Sequence, residues 1–199
     1  MGMIVGIVLA GGMARRMGGG DKVLLPLAGA TLLDRVVALA RPQVAALALS
    51  ANGDPTRFAR FGLPVLADEL PDRPGPLAGI LAGLDWAAAQ HPDAGHVASF
   101  AGDTPLFPAD LVARLAAGGD AACAAAGGRL HAVFGLWPVA ARERLRRALV
   151  VDGMRRVEDW ARAVGAATVA FDEAGDDPFF NVNRPEDLVA AAARLAARG

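Results

Sequence analysis

The sequence of 199 residues is 54% hydrophobic and 21% charged, which provides enough apolar surface for a large core and excludes global disorder. Its formal net charge of -1 leaves no overall basic field that would attract nucleic acid or an anionic membrane. The single cysteine, Cys123, excludes an internal disulfide and a zinc site of several thiolates, and its apolar surroundings predict a buried spectator.

Short apolar runs alternate with longer helical patterns along the chain, which is typical of an α/β fold with crossover helices. Strands are predicted at residues 4–10, 44–50, 64–67, 96–101, 121–126, 130–137 and 167–171. Helices are predicted at residues 31–41, 76–90, 108–117, 139–149, 154–164 and 185–197, with Pro76, Pro108 and Pro185 near helix starts. We interpret residues 1–199 as one domain.

Targeting and membrane signals are not predicted. The apolar stretch at residues 3–10 is followed, rather than preceded, by Arg15 and Arg16, which is the reverse of a signal peptide. No uncharged apolar run approaches the roughly 18 residues that a membrane span needs. We therefore expect a cytoplasmic protein without a membrane or nucleic-acid partner.

A glycine-rich segment, LAGGMARRMGGGDK at residues 9–22, follows the first predicted strand directly. Ligands of open α/β sheets bind at this edge, and glycines allow backbone N–H groups to approach phosphate. Arg15, Arg16 and Lys22 add positive charge, and Lys22 is the only lysine in a chain that otherwise uses arginine. A phosphate-binding loop is therefore favoured over a flexible surface loop.

Two common phosphate motifs do not fit this segment. A Walker loop needs Ser or Thr after Gly-Lys, but Asp21 precedes Lys22 and Val23 follows it. A dinucleotide fingerprint leads straight into a helix, whereas residues 23–27 have a strand-like pattern. A P-loop enzyme and a Rossmann dehydrogenase are both disfavoured.

Asp103 ends another predicted buried strand at the same edge of the sheet, in the sequence AGDTP. A carboxylate that faces a phosphate loop can hold Mg²⁺ between the protein and the substrate phosphates. The alternative is an aspartate that forms a turn before Thr-Pro. The neighbouring phosphate loop favours metal binding.

Further polar residues are predicted at this edge. Ser50 and Asn52 end the second strand, and Asp68 ends the third. Each of them is interpreted either as a nucleotide contact or as a cap or turn residue. The turn and helix start at residues 74–79, which include Gly79, could meet a nucleotide through backbone groups.

The asparagines of the segment NVN share one face of an extended strand-like stretch and could line a pocket. For Asn183, a helix cap formed with Glu186 is favoured over a pocket role, whereas Asn181 is left as a pocket candidate. His131 is interpreted as a packed core imidazole.

Taken together, these motifs resemble the MobA family of molybdenum cofactor guanylyltransferases, in order from about residue 4 to residue 188. The resemblance implies a single Rossmann-like nucleotidyltransferase domain with a mostly parallel sheet and helices on both faces. It also implies Mg²⁺-dependent transfer of GMP from GTP to molybdopterin cofactor, with release of pyrophosphate. Molybdenum cofactor biosynthesis and molybdoenzyme maturation proteins would be further partners.

By position, the resemblance implies catalytic roles for Arg16, Lys22 and Asp103, with Asp103 as the metal ligand. The nucleotide-binding residues it implies are Leu9, Ala10, Gly11, Gly12, Lys22, Ser50, Asp68 and Asp103. Ser50 stands where family members often carry Asn, so whether Ser50 or Asn52 contacts the nucleotide is open.

Two alternatives remain at this stage. Related cytidylyltransferases tend to have Ala-Gly at the place of Gly11-Gly12 and to lack the motif at residues 74–79, so both features favour guanine here. The second alternative is a non-catalytic nucleotide-binding module, which the presence of Lys22 and Asp103 disfavours.

Overall fold

The computed structural model describes residues 2–11, 21–67, 75–171 and 177–198. In chain order the strands are β1 (Met3–Leu9), β2 (Pro26–Leu27), β3 (Ala30–Thr31), β4 (Leu47–Ser50), β5 (Val65–Leu66), β6 (Ala94–Ala101), β7 (Ala122–Ala126), β8 (Arg129–Pro138) and β9 (Ala167–Ala170). The α-helices are α1 (Leu32–Ala40), α2 (Pro76–Gln90), α3 (Leu111–Gly118), α4 (Arg142–Val150), α5 (Val157–Val164) and α6 (Pro185–Arg198). Short 3-10 helices lie at Lys22–Leu24, Arg41–Gln43, Pro55–Phe61 and Val139–Ala141.

Among the described residues, the main sheet has seven strands in the order β5-β4-β1-β6-β8-β7-β9, and β2 pairs with β3 in a separate hairpin. Strands β5, β4, β1 and β6 are parallel neighbours, and so are β7 and β9. Strand β8 runs antiparallel to both β6 and β7. The expected α/β class with a mostly parallel sheet is confirmed, and the reversed β8 is an addition to it.

A tight turn reverses the chain between β7 and β8. Ala126 pairs with Arg129, and the two residues between them, Gly127 and Gly128, have φ values of 55° and 73°. Positive φ at both central positions is the geometry of the two-residue turns that match the twist of paired strands. The Gly-Gly pair therefore sets the antiparallel direction of β8.

The two faces of the sheet are covered by different helices. Val8 of β1 packs in a core that includes Leu33 of α1 and Leu111 of α3. Val5 and Ile7 of the same strand belong to a second core with residues of α2, α4 and α5. This alternation follows from the two-residue period of a strand, and it confirms helices on both faces.

A third, smaller core joins the β2–β3 hairpin to the C-terminal helix. Leu27, Leu32, Val182 and Ala191 are buried together. Because Val182 lies in this core, the extended segment before α6 is held close to the residues that follow the glycine-rich segment.

Several expected element boundaries are wrong; β4 begins at Leu47 rather than at residue 44, and α4 begins at Arg142 rather than at residue 139. Helix α3 begins at Leu111 rather than at Pro108, because residues 108–110 form a turn in which the Leu111 N–H donates to Pro108 O at 3.2 Å. Helix α5 begins at Val157 rather than at residue 154, after an extended Arg156 with φ -97° and ψ 133°. Residues 23–27 are not a continuous strand, since Lys22–Leu24 is a 3-10 turn and only Pro26–Leu27 is extended.

The expected burial of Cys123 is confirmed. Its side chain is buried in the core, and burial raises the pKa of the thiol to about 12. No described helix has both the length and the apolar character that crossing a bilayer requires.

Candidate active site

The carboxyl ends of three parallel strands lie in one row. Leu9 of β1 pairs with Ser50 of β4 on one side and with Ala101 of β6 on the other. The row continues past the strands, because Ala10 N donates to Ser50 O at 2.9 Å and Gly102 N donates to Leu9 O at 3.1 Å. The residues that follow these strands therefore meet at one edge, as the sequence predicts.

Gly102 permits the close approach of β6 to β1 at this edge. A Cβ atom at residue 102 would lie 2.8 Å from Leu9 O and 2.9 Å from the Val23 side chain, which is closer than real side chains come. Only glycine fits there without a shift of the backbone of β1. The next residue, Asp103, is thereby held beside the start of the Lys22–Leu24 turn.

Lys22 and Asp103 form an ion pair. The Lys22 Nζ atom lies 2.7 Å from Asp103 Oδ2, and the two side chains are 14% and 27% exposed. Lys22 Nζ also donates to Asn183 Oδ1 at 2.6 Å. The ammonium is therefore held between two oxygen acceptors.

The expected helix cap by Asn183 is also wrong. Its side chain accepts from Lys22, while Asp187 accepts from the backbone N–H groups of Asn183 and Arg184 at 2.7 and 2.8 Å. Asp187, rather than Glu186, therefore satisfies the backbone at the start of α6. The same segment is fixed to the site by Val182 N, which donates to Asp103 O at 2.9 Å.

A cavity of about 770 Å³ opens at this edge of the sheet. Its volume lies within the range of roughly 300–1,000 Å³ that small-molecule sites occupy. Asp103 follows β6, and because β6 lies between β1 and β8 in the sheet, the lining residues fall into two sets, one on each side of Asp103. One side is lined by the predicted site residues Leu9, Gly11, Ser50, Asn52 and Gly79, and the other by Asn181 with Arg129, His131, Phe134, Glu158 and Phe179.

Some predicted site residues lie elsewhere. Ala10 is fully buried, and it takes part in the row of strand ends only through its backbone. Lys22 contacts the cavity-lining Asp103 without lining the cavity itself, and Asn183 is joined to Asp103 only through Lys22. Gly12, Arg16 and Asp68 lie outside the described residues.

Gly79 closes the floor beneath Ser50. A Cβ atom at residue 79 would lie 2.6 Å from Ser50 Oγ and 2.7 Å from Leu9 Cδ2. Helix α2 begins after Gly75, which has φ 77° and also lines the cavity. The absence of a side chain at residue 79 thus allows the first turns of α2 to pack directly against the ends of β1 and β4.

The family model described as "MobA-like NTP transferase domain" matches residues 6–168. The matched region contains the strand-end row, Lys22, Asp103 and most of the cavity wall. This chain belongs to the MobA-like NTP transferase family. The resemblance and the nucleotidyltransferase class predicted from the sequence are confirmed.

Two relatives show how far the similarity to this family extends. The molybdenum cofactor guanylyltransferase of Mesorhizobium japonicum is 54% identical over 200 residues, covering 96% of this chain and 95% of that protein. The protein of the same name from Nitrobacter hamburgensis is 51% identical over 197 residues, covering 96% and 94%.

Solved structures share the MobA-like fold at lower identity. Molybdopterin-guanine dinucleotide biosynthesis protein A from Archaeoglobus fulgidus superposes with a TM-score of 0.72 at 22% identity, covering 98% of this chain and 100% of that one. The 4-diphosphocytidyl-2C-methyl-D-erythritol synthase from Anaerococcus prevotii has the same TM-score of 0.72 at 12% identity, covering 98% and 96%. Proteins whose names refer to a guanine dinucleotide and to a cytidyl compound thus share this fold, so the fold alone does not indicate which base is bound.

The cavity also contains residues that sequence reasoning missed or placed in the core. His131 was expected in the core, yet it lines the cavity with its ring 4.8 Å from that of Phe179. Burial lowers the pKa of His131, and the Asp177 carboxylate at 3.9 Å acts in the opposite direction. Arg57 and Glu158 come from a 3-10 helix and from α5, and no motif links either residue to the glycine-rich segment.

The residues of this MobA-like site fit a Mg²⁺ ion that is shared with a substrate. Asp103 offers a hard carboxylate oxygen, and Mg²⁺ in phosphate-transfer sites commonly takes one or two carboxylates together with substrate phosphates and water. Within residues 2–11, 21–67, 75–171 and 177–198, no three His, Cys, Asp or Glu side chains group into a metal site. The donor set of the described residues therefore suits a metal whose coordination a substrate completes.

Proposed function

We propose that this chain is a molybdenum cofactor guanylyltransferase, which transfers GMP from GTP to molybdopterin cofactor and releases pyrophosphate. The observation that carries the proposal is the identity of 54% and 51% to proteins of that name along nearly the whole chain. The product would be the guanine dinucleotide form of the cofactor. Residues 1–199 would act as one nucleotidyltransferase domain.

The geometry supports this chemistry without a covalent intermediate on the protein. A phosphate oxygen of the acceptor would attack the α-phosphorus of GTP, and the bond to the pyrophosphate oxygen would break with its electron pair leaving on pyrophosphate. Such transfers depend mainly on positioning and on stabilising the charge that moves to the leaving group. A cavity with two sides that meet at Asp103 has room for a donor and an acceptor.

We assign the nucleotide to the side lined by Leu9, Gly11, Ser50 and Gly79, with Asn52 as the alternative polar contact to Ser50. Ser50 is 8% exposed, so its hydroxyl offers one short-range hydrogen bond at the floor of this side. The acceptor would occupy the side that contains Asn181. Gly12, Asp68 and the backbone of Ala10 complete the proposed nucleotide-binding set.

Charge stabilisation would come from Lys22 and Arg16. A lysine ammonium is a compact donor of three hydrogen bonds, which suits the crowded oxygens of a polyphosphate. The Lys22 ammonium lies beside the cavity-lining Asp103, at 2.7 Å from its carboxylate and 2.6 Å from Asn183 Oδ1. Lys22 therefore needs only a small displacement to donate to a phosphate beside Asp103.

Asp103 would hold Mg²⁺ through its carboxylate. When bound, the ion would supply positive charge that offsets the negative charge developing on the phosphates. Thr104 donates to Asp103 Oδ1 at 3.2 Å, and Val182 N donates to Asp103 O at 2.9 Å, so the carboxylate is oriented by its neighbours. These contacts keep Asp103 at the boundary between the two sides of the cavity.

The proposal also covers partners and location. We place the protein in the cytoplasm, with GTP and molybdopterin cofactor as its small-molecule partners. Proteins of molybdenum cofactor biosynthesis and molybdoenzyme maturation would receive its product.

The test is an assay of purified protein with Mg²⁺, molybdopterin cofactor and either GTP or CTP. Pyrophosphate release should depend on the acceptor and be at least about tenfold faster with GTP, a difference of about 1.4 kcal/mol. The dinucleotide product is identified by mass spectrometry. Equal or faster turnover with CTP would indicate a cytidylyltransferase, and GTP binding without pyrophosphate release would indicate a non-catalytic module.

A further inference from the structure

Arg57 makes an ion pair across the cavity wall with Asp21. Arg57 lies on the Pro55–Phe61 3-10 helix, and its Nε atom is 2.7 Å from Asp21 Oδ2. Both residues line the cavity, with side chains that are 25% and 23% exposed. Asp21 is the last residue of the glycine-rich segment before Lys22. The pair therefore fixes the point at which that segment ends.

The same guanidinium holds the loop that follows β4. Its Nη1 atom donates to Asp54 O at 2.6 Å, and Nη2 donates to Asn52 O at 2.5 Å. Gly53, between these acceptors, has φ 88°, and a Cβ atom there would lie 3.1 Å from Nη1. The loop thus wraps closely around the guanidinium, and Asn52 and Gly53 present their other surfaces to the cavity.

The arrangement gives Arg57 a role different from that of a direct ligand. Nη1 and Nη2 donate hydrogen bonds to backbone oxygens, and Nε contacts the Asp21 carboxylate as an ion pair without hydrogen-bond geometry. The group also lies 4.6 Å from the centroid of the buried Phe58 ring. A guanidinium so occupied is held in place, and it holds its partners in turn. Its effect on a ligand is exerted through Asp21 and through residues 52–54.

Asp21 and Lys22 extend this arrangement to the far side of the site. Asp21 pairs with Arg57 beside the loop after β4, whereas Lys22 pairs with Asp103 after β6. Two consecutive residues are therefore anchored to the ends of two different strands. Displacement of Asp21 would shift Lys22 away from its position between Asp103 and Asn183.

We propose that Arg57 is a positioning residue that couples the nucleoside side of the site, residues 52–54, to the phosphate side, Asp21 and Lys22. This inference rests on the proposed function for the assignment of the two sides. The contacts of Nη1 and Nη2 with residues 52–54 shape the wall that contacts the nucleoside, and the contact of Nε with Asp21 fixes the end of the phosphate-binding segment. Binding of a nucleoside triphosphate needs both sets of contacts, whereas binding of the nucleoside part needs only the first.

The variants Asp21→Asn and Arg57→Lys distinguish the two sets of Arg57 contacts. Asparagine removes the ion pair but leaves the contacts of Arg57 with residues 52–54, whereas lysine cannot reproduce the planar set of three contacts. We expect Asp21→Asn to weaken GTP binding about tenfold and leave GMP binding within about twofold, and Arg57→Lys to weaken both about tenfold. Affinities are measured by calorimetric titration, which needs no acceptor or turnover.

Arg60→Lys is the matched control. Arg60 lies three residues further on the same 3-10 helix, pairs with Asp34 at 2.8 Å and stacks 4.5 Å from the Phe61 ring centroid, but it does not line the cavity. Its replacement should leave GTP and GMP affinities unchanged. A loss of nucleotide affinity in Arg60→Lys would mean that a general structural effect explains Arg57→Lys.

Electrostatic repulsion alone predicts the opposite change in the GTP affinity of Asp21→Asn. Removal of a carboxylate beside a polyphosphate should tighten GTP binding, so an increased affinity of Asp21→Asn would overturn the coupling. Independent, additive losses in the double variant would overturn it as well, since shared action predicts that the second change adds little to Arg57→Lys. If the unmodified protein prefers CTP, the proposed base specificity fails, and the same comparison with CTP and CMP decides the role of Arg57.

Discussion

Lys22 and Asp103 are 81 residues apart in the chain, yet the ammonium and the carboxylate are joined at 2.7 Å. Their sequence contexts predict different tasks for these two residues, phosphate binding for the lysine and metal binding for the aspartate. The structure shows that each also neutralises the other. A substrate that carries phosphate and Mg²⁺ would satisfy both partners, because it brings an anion for Lys22 and a cation for Asp103.

Asp103→Asn should separate activity from folding. Asparagine keeps the size of the side chain and an acceptor for Thr104, but it lacks the charge that attracts a divalent cation. We expect turnover to fall at least about a hundredfold, roughly 2.7 kcal/mol, while the protein still melts cooperatively. Asp110→Asn, at the exposed start of α3, is the control that should keep full activity. Near-normal Mg²⁺-dependent activity of Asp103→Asn would contradict metal binding by Asp103 and favour its alternative interpretation as a turn residue.

Lys22→Arg tests whether the only lysine is required. The ammonium sits between Asp103 and Asn183, and a broader planar guanidinium has different spacing between its donors. We expect kcat/KM to fall about tenfold or more, equivalent to about 1.4 kcal/mol. Because the lysine is paired and only 14% exposed, a loss of stability of up to about 1 kcal/mol should accompany this change. Steady-state rates equal to those of the unmodified protein would show that the lysine is an accident of composition.

Cys123 should be inert in the folded protein. It is 1% exposed, and burial, followed by the charge of Glu158, raises its pKa to about 12, so the reactive thiolate is scarce at neutral pH. A thiol-specific reagent at pH 8 should leave the native protein unlabelled and react with one equivalent after denaturation. Rapid labelling of the native protein with loss of activity would contradict the assignment of Cys123 as a spectator.

The strand-end row was predictable because it depends on local patterns. Apolar runs predict β1, β4 and β6, and their parallel arrangement brings Gly11, Ser50 and Asp103 to one edge. The direction of β8 was also accessible, because Gly127-Gly128 between two strand-like runs is a signal for a hairpin.

The partners of individual side chains were less accessible. Asn183 has the sequence context of a helix cap, and only the burial of Val182 beside Leu27 and Leu32 brings its side chain to Lys22. Arg57 is one of many arginines, and its role depends on the folding of the loop after β4 around its guanidinium. Such contacts arise from tertiary packing, which a pattern along the chain does not encode.

Gly79→Ala tests the assignment of the nucleotide side. The added methyl would lie 2.6 Å from Ser50 Oγ and 2.7 Å from Leu9 Cδ2, so α2 or the two strand ends must shift. In a helix interior alanine is favoured over glycine by about 1 kcal/mol, which partly offsets the steric cost to stability. We therefore expect a modest change in melting temperature and an increase of about tenfold in KM for GTP, since the shift displaces two residues of the cavity wall.

Gly83→Ala is the control for this variant. It lies one turn further along α2, and its added methyl would lie 3.0 Å from the Ile7 side chain, in the core rather than at the cavity. This variant should lose stability through overpacking, by about 1–3 kcal/mol, and keep the KM for GTP. If Gly79→Ala changes only the melting temperature, as Gly83→Ala does, then the nucleotide does not rest on Ser50 and Leu9. It would then have to bind on the side of the cavity that contains Asn181 and Phe179, and the acceptor would take the side formed by β1, β4 and α2.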